Sequence, residues 1–256
     1  MVHFIKIGNR LFYYAPLGLL ALAWYLSSRF NLVAESLAPS PGQTLRALWA
    51  LAASGDLWPH VGASFFRESV GLVLSVGIGT AVGIGMARID WIRILLRPPI
   101  TFLYPMPKSA LIPVLLLWFG LGHMSKIAAV FLGCLLPVVT SAYNGARGVE
   151  PQLVWSALSL GASRNRVLWK VVFMAALPEI MSGARIALGM SWLLLMSAEM
   201  MISRNGLGFL ISYSGETGDY ATMFAAVIVV VAIGFLSDRA FLWFTRRLLR
   251  WRESPG

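Results

Sequence analysis

The sequence predicts an all-α membrane protein with six transmembrane helices, and three observations support this fold class. The 256-residue chain is 58% hydrophobic and only 12% charged, whereas a soluble domain usually carries about 25% charged residues. Its apolar residues form long runs, and a helix needs roughly 20 such residues to cross a bilayer. Its net charge of +10 comes from basic residues at the ends of these runs, which favours anionic lipid over nucleic acid as a partner.

We expect one transmembrane domain over residues 1–256. The first apolar run lacks a small-residue cleavage site after it, so it is predicted to be a retained span and not a signal peptide. A short amphipathic helix is expected outside the core, at Thr44–Ala53. The six spans are placed between Arg10 and Arg29, Glu68 and Arg88, Pro98 and Gly122, Lys126 and Arg147, Ile186 and Ser203, and Asp219 and Phe244.

Two spans carry unusual residues. In the second span, Gly79 and Gly83 form a small-xxx-small pair, which predicts close helix packing. The third span is interrupted by Lys108 among three prolines, and broken helices occur in membranes where they line a cavity or are buried in protein. Lys108 either lines a translocation pathway or extends to the membrane surface. A pathway would also include Tyr104, Met196 and Glu199. Glu199 could instead pair with a basic residue, or sit near the outer surface close to Arg204.

A polar, basic segment at residues 150–178, here called the elbow, separates the fourth and fifth spans. Pro151 suits a first helical turn, Gly161 a left-handed C-cap and Ser163 an N-cap. The pattern therefore predicts helix, glycine break and helix. The first helix has an apolar face and the second a basic face; the residues are Leu153, Val154, Ala157 and Leu158, then Arg164, Arg166 and Lys170. Such an elbow either lies on lipid headgroups or docks a cytoplasmic partner.

Charge distribution predicts which side of the membrane the elbow occupies. If the N-terminus is cytoplasmic, 14 of the 21 basic residues fall on the cytoplasmic side, and four fall on the other: Arg29, Arg46, Lys126 and Arg204. The positive-inside rule therefore places both termini and the elbow in the cytoplasm.

Motifs of catalysis are absent from the sequence. There is no GxxxxGK[ST] segment, so the chain is not expected to bind ATP through a P-loop. The three histidines are scattered and suggest no metal site. Because no nucleophile–base pattern is present either, we predict that this chain alone is not an enzyme.

The elbow resembles the EAA loop of bacterial ABC-importer permeases of the binding-protein-dependent, type I class. Trp155, Ser156 and Ala157 take the places of Glu-Ala-Ala, Gly161 that of the glycine and Val171 that of the isoleucine. Phe173–Met174 stand where Leu-Pro is usual, and a Leu-Pro follows at Leu177–Pro178. Further segments are similar to the nitrate, sulfonate and taurine branch: SLAPSPGQTLRALW, ALIPVLLLWFGLGHMSK, ARIALGMSWLLLMSAEM with NGLGFLI, and LSDRAFLWFTRRLLRW.

The resemblance implies the permease subunit of an ATP-driven importer in the bacterial inner membrane. It implies a second permease chain, two cytoplasmic ATPase subunits that bind ATP and Mg, and a periplasmic or lipid-anchored substrate-binding protein. No cofactor is expected in this chain, and the solute would be a small anion such as a sulfonate, nitrate or an organic carboxylate. The expected ATPase-coupling residues are Pro151, Leu153, Val154, Trp155, Ala157, Leu158, Gly161, Ala162, Ser163 and Arg164.

Two other functions are kept open. A stand-alone secondary transporter or channel would not need the elbow and would work without ATPase subunits. A structural membrane scaffold would leave the prolines around Lys108, and Glu199 within the fifth span, without a purpose.

Overall fold

The computed structural model describes residues 2–30, 32, 37–201 and 203–251, which are almost entirely helical. Met1 and residues 252–256, at the chain ends predicted to be cytoplasmic, lie outside the described residues. The helices are α1 (Val2–Arg29), α2 (Pro41–Ser54), α3 (Leu57–Arg88), α4 (Asp90–Leu103), α5 (Ile112–Phe119), α6 (His123–Arg147), α7 (Pro151–Ser159), α8 (Arg164–Val167), α9 (Phe173–Met201), α10 (Leu207–Glu216) and α11 (Tyr220–Leu248). A 3₁₀ turn spans Lys108–Leu111, and a π-helical segment spans Leu168–Val172.

Helix α6 lies at the centre of the bundle, packed along both α3 and α9. The predicted close packing at the α3 glycines is confirmed. A Cβ atom added to Gly79 would lie 2.9 Å from Val138 Cγ1, and one added to Gly83 would lie 2.5 Å from the Val139 carbonyl oxygen. Any larger residue at these positions would therefore push α3 away from α6.

Four helices in the described part of the chain are long and apolar enough to cross a membrane: α3, α6, the continuous helix Arg164–Met201, and α11. A fifth span results if α4 and the segment Lys108–Phe119, which meet at 96°, are counted as one broken span. This break falls at the predicted interruption around Lys108. The 28-residue α1 covers the predicted first span, and the count of six stays a prediction.

Two helices extend beyond the spans that the sequence predicts, because those spans were limited at charged residues. Helix α3 begins at Leu57 and contains Arg67 and Glu68, both buried. The helix that contains the predicted fifth span begins well before Ile186, since it runs without interruption from Arg164 to Met201. Arg185 is accommodated there by an ion pair of its Nε with Asp238 Oδ1, at 2.8 Å.

The remaining helices pack around this core. Helix α2 covers the short helix predicted at Thr44–Ala53, and it joins α10 and α11 beside the start of α3. Leu57, Leu207, Leu210 and Ala226 form the apolar contact among these helices. We call the end of the bundle where α3 and α6 finish, at Arg88 and Arg147, the elbow end. The end where α3 and α6 begin is called the opposite end.

Candidate functional site

The elbow has the local structure that its sequence predicts. Helix α7 begins at Pro151, the chain turns at Gly161 with a φ of +80°, and Ser163 caps the next helix. The Arg166 backbone N–H donates to Ser163 Oγ at 3.4 Å. A left-handed backbone conformation at Gly161 is one that glycine adopts without steric cost, so this residue permits the sharp reversal between α7 and α8.

Helix α7 contacts the bundle through only one edge. Val154 and Ala157 pack against a buried cluster that includes Ala146 of α6 and Val167 of α8. Leu153 and Leu158, predicted on the same apolar face, are exposed. Trp155 is 65% exposed and Leu160, just after α7, is 88% exposed. The elbow therefore presents large apolar side chains that nothing in the described part of the chain covers.

The second half of the elbow is anchored more firmly. Val167 and Val172 are buried, and Arg164, Arg166 and Lys170 are exposed, as the sequence predicts. The helix then widens into the π segment before continuing as α9. Such π-bulges often occur at functional sites.

Lys108 lies at the break between α4 and the 3₁₀ turn. Its Nζ atom donates to the carbonyl oxygens of Tyr104, at 2.5 Å, and Leu103, at 3.2 Å. Carbonyl groups at a helix C-terminus have no intrahelical donor, and a lysine can satisfy them. Lys108 therefore stabilises the end of α4, and its Nζ also lies 5.6 Å from the centre of the Tyr104 ring.

Tyr104 and Lys108 also line a pocket of about 250 Å³ between α4, α6 and α9. Pro137 and Thr140, near the middle of α6, form another wall of this pocket. Lys108 is thus level with the centre of a helix long enough to span the membrane. A charged side chain at such a depth is costly and commonly serves a function.

A second pocket, of about 200 Å³, shares Thr140 with the first and continues towards the elbow end. Thr140, Asn144 and Arg147 of α6 line it at a spacing that places them on one helical face, and Arg97 of α4 lies opposite. In the described part of the chain, Lys108, Arg97 and Arg147 form no ion pair. Among the otherwise mainly apolar walls of the two pockets, these polar and cationic side chains follow one another along α6, and we call this row the stripe along α6.

Glu199 and Met196 lie outside these two pockets. Met196 packs among apolar residues of the core. Glu199 is fully buried at the opposite end, where its carboxylate accepts hydrogen bonds from Arg67 at 2.6 Å and Ser64 at 2.7 Å. The backbone N–H of Gly208 donates to it as well, at 3.0 Å. The alternative that Glu199 pairs with a basic residue is thus confirmed.

Glu199 belongs to what we call the buried polar cluster, with Ser64, Arg67 and Gly206, and with Asn205, which is exposed, at its outer edge. Arg67 Nη1 donates to the Asn205 carbonyl oxygen at 2.9 Å, and Nη2 donates to Asn205 Oδ1. Gly206 has a φ of +115°, and a Cβ added there would lie 2.4 Å from the Glu199 carboxylate. Sequence reasoning did not predict this cluster, although Arg67 at a span edge was a signal for it.

No three His, Cys, Asp or Glu side chains within the described ranges lie close enough to hold a metal ion. The buried polar cluster instead joins α3, α9 and the chain between α9 and α10 by hydrogen bonds. Its chemistry is that of a structural connection, whereas the elbow and the stripe along α6 expose groups that can bind a partner or a solute.

Comparison with known proteins decides the family. Residues 75–250 match the family model of the binding-protein-dependent transport system inner membrane component. The chain belongs to this family. The taurine transport system permease protein TauC of Escherichia coli (strain K12) is 35% identical, over 92% of this chain and 87% of its own length. The putative aliphatic sulfonates transport permease protein SsuC of Bacillus subtilis (strain 168) is 32% identical, over 90% of this chain and 84% of its own length.

A further relative and a solved structure agree with this assignment. The bicarbonate transport system permease protein CmpB of Synechococcus elongatus is 32% identical, over 77% of this chain and 70% of its own length. The inward-facing MetNI methionine ABC transporter matches with a TM-score of 0.60 and 18% identity, over 75% of this chain and 93% of that chain. The permease fold expected from the elbow is therefore confirmed, and the chain is a permease component of an ABC importer.

Proposed function

We propose that α7 is the coupling helix through which cytoplasmic ATPase subunits drive this permease. The observation that carries the proposal is the exposure of Trp155 and Leu160 on an elbow whose first helix contacts the bundle along one edge only. Exposed apolar groups rimmed by polar residues mark interaction sites, and tryptophan is frequent among residues that dominate interface energies. Trp155, at the place of the glutamate in the EAA pattern that the elbow resembles, would fill a groove on the ATPase.

The packing of the elbow explains how movement would pass into the membrane. Val154 and Ala157 connect α7 to α6 and to the helix that continues into α9. A displacement of α7 by the ATPase would therefore move both helices as a rigid unit, which is how subunit rotations are transmitted. Gly161 fixes the angle of α7 relative to α8, and the remaining predicted coupling residues, from Pro151 to Arg164, hold this geometry.

The proposed assembly contains two copies of this chain, two ATPase subunits and a binding protein on the far side of the membrane. ATP and Mg would be bound by the ATPase subunits, and this chain would contribute no catalytic group. Both termini and the elbow would be cytoplasmic, which agrees with the exposed Arg164, Arg166 and Lys170 under the positive-inside rule.

The proposed solute is a small anion such as a sulfonate, nitrate or an organic carboxylate. Relatives are named for taurine, aliphatic sulfonates and bicarbonate. Lys108 and Tyr104 line the pocket at the middle of α6, and an unpaired cation at this depth would lower the energy of a passing anion. Met196 and Glu199 were predicted to line the same pathway as Lys108 and Tyr104. In this proposal they lie outside the pathway and hold α9 in place.

Co-purification of ATPase subunits with the detergent-solubilised chain tests this proposal. A P-loop ATPase should accompany the unmodified chain in stoichiometric amount and be lost from Trp155→Asp. Gln152→Asp, a change at another exposed position of α7, is the matched control and should retain the ATPase. A chain that purifies alone and moves solute across liposomes without ATP would replace this proposal with the stand-alone transporter.

A further inference from the structure

A long groove follows the outer side of α3 and is separate from the pockets around Lys108. Its membrane section, of about 520 Å³, is formed by α3 with the π segment and α9. Gly77, Thr80 and Ile84 form one wall, and Trp169 and Phe173 contribute to the other. Apart from Arg88 at its elbow end, the lining consists of apolar residues, glycines and Thr80. The section therefore suits a hydrocarbon chain.

The groove continues into the elbow. A section of about 580 Å³ shares Arg88, Ile89 and Leu168 with the membrane section, and extends to α7 and Arg164. Neither Arg88 nor Arg164 has an acidic partner in the described part of the chain. Arg88 Nη2 donates to the Ala146 carbonyl oxygen at 3.3 Å. The groove thus has an apolar part within the membrane and two arginines where the membrane meets the elbow.

We propose that this groove binds an anionic phospholipid, with an acyl chain in the membrane section and the phosphate between Arg88 and Arg164. Guanidinium groups bind phosphate through paired, charge-assisted hydrogen bonds. Basic pockets between transmembrane helices on the cytoplasmic side commonly bind anionic headgroups, and both volumes lie in the range of about 300–1,000 Å³ typical of ligand sites. The inference goes beyond the proposed function and takes from it only the cytoplasmic position of the elbow.

Trp169 supports this orientation of the lipid. Its side chain is exposed, lines the groove next to Leu168, and lies 5.5 Å from the Phe173 ring between ring centres. Tryptophan is enriched at the level of the headgroups, where its apolar ring and polar N–H are both satisfied. The boundary between acyl chain and headgroup would therefore fall near Trp169, between the apolar section and the two arginines.

The lipid would connect three parts of the permease. It would contact α3, the π segment and the inner edge of α7, since Val154 and Leu158 line the elbow section. Trp155 and Leu160 are not among the lining residues, so the two side chains that carry the coupling proposal stay clear of the lipid. A bound lipid would stiffen the connection between the elbow and the bundle.

Native mass spectrometry of the purified full chain tests the inference. The chain is equilibrated with phosphatidylglycerol or with phosphatidylcholine of the same acyl composition, and retained lipid is counted. The test variant is Arg88→Gln with Arg164→Gln, which removes both headgroup contacts. Its control is Arg246→Gln with Arg250→Gln, which removes two exposed charges away from the groove. Gly77→Leu fills the membrane section, and Gly62→Leu is its control on the same helix. An added Cβ meets no atom within 4 Å at either glycine, so both variants should fold.

We expect one tightly held phosphatidylglycerol on the unmodified chain and both controls. Retention should fall about tenfold or more in the double arginine variant, because two hydrogen bonds to a charged group are lost, and should fall similarly in Gly77→Leu. Unchanged retention in either test variant would overturn the inference. Equal retention of phosphatidylcholine would overturn the anionic headgroup, and competition by inorganic phosphate would show a free-anion site instead. Since no ATPase is present, these outcomes are independent of the coupling proposal.

Discussion

The two ends of the helical bundle differ in whether their charged and polar side chains have partners within the chain. At the opposite end, Arg67 and Glu199 are 2% and 0% exposed and bond to each other and to Ser64 and Asn205. At the elbow end, Arg164, Arg166 and Lys170 are exposed, as are Trp155 and Leu160. The opposite end thus satisfies its own polar groups, whereas the elbow end presents groups that only another molecule can cover.

Two glycines show the same difference. Gly206 and Gly161 both have positive φ, at +115° and +80°. A Cβ atom at Gly206 would meet the Glu199 carboxylate at 2.4 Å, while one at Gly161 would meet nothing within 4 Å. The turn at Gly206 is closed in by packing, whereas the turn at Gly161 has open space around it.

The largest expected effect comes from breaking the buried ion pair. Arg67→Met leaves the Glu199 carboxylate buried without its cation, which typically costs about 3–5 kcal/mol. We expect a correspondingly large fall in the free energy of unfolding, measured in detergent by chemical denaturation. The matched control is Asp90→Asn, which removes the exposed Arg93–Asp90 pair and should cost no more than about 1 kcal/mol.

A second variant tests whether the loss of stability comes from the unpaired Glu199 charge or from the lost hydrogen bonds. Arg67→Met combined with Glu199→Leu replaces both charges by apolar groups, and such replacements are often close to neutral. The double variant should therefore recover stability relative to Arg67→Met. Equal stability of Arg67→Met and the unmodified protein would contradict a structural role for the cluster.

The next largest effect is expected from alanine at the two glycines. Gly206→Ala combines a steric clash with the strain of an alanine at positive φ. It should lower the free energy of unfolding by about 3 kcal/mol. Gly161→Ala adds strain alone and should cost about 1–2 kcal/mol. Thermal unfolding of both variants in detergent measures the difference, and a greater loss at Gly161 would reverse the comparison between the two ends.

A smaller effect on stability but a clear one on transport is expected from Lys108→Gln. The glutamine amide can still donate to the Tyr104 and Leu103 carbonyl oxygens, so the end of α4 stays capped while the charge is lost. ATP-driven uptake of a sulfonate such as taurine by liposomes holding the whole transporter should fall about tenfold, since 1.4 kcal/mol of lost attraction suffices for that. Lys170→Gln, at an exposed position on the elbow, is the control. Undiminished uptake by Lys108→Gln would remove this residue from the pathway.

The smallest effect on folding is expected at the elbow surface. Trp155→Ala removes an exposed side chain and should change the free energy of unfolding by no more than about 0.5 kcal/mol. Chemical denaturation of the isolated permease checks this value. A loss of several kcal/mol would mean that Trp155 belongs to the bundle and not to a partner surface.

Local sequence signals predicted much of the elbow and only part of the opposite end. Pro151, Gly161 and Ser163 each act on neighbouring backbone, so their roles could be inferred from position alone. The partner of Glu199 could not, because Arg67 lies 132 residues earlier in the chain and the pairing depends on how α3 and α9 pack. For the same reason, the sequence did not show that helices continue past Glu68 and Arg185, which bond to Ser191 and Asp238.

The predicted pathway, too, could be inferred from the sequence only in part. Prolines around Lys108 predicted a broken helix, and the 96° bend between α4 and Lys108–Phe119 agrees with that. The stripe formed by Thr140, Asn144 and Arg147 was not predicted, because nothing in the sequence of α6 shows which face meets α4. Packing decides that face, and with it which polar residues share the pocket with Lys108.

The most direct test of the account is the amount of solute transported per ATP hydrolysed by Gly161→Val. The whole transporter, with its ATPase subunits and binding protein, is placed in liposomes, and both rates are measured on the same vesicles. A β-branched residue at this positive φ would shift α7 without disturbing the buried polar cluster. The account predicts that the ATPase subunits stay bound and hydrolyse ATP while transport per ATP falls about tenfold or more. Unchanged transport per ATP at normal assembly would contradict the claim that the elbow couples the two.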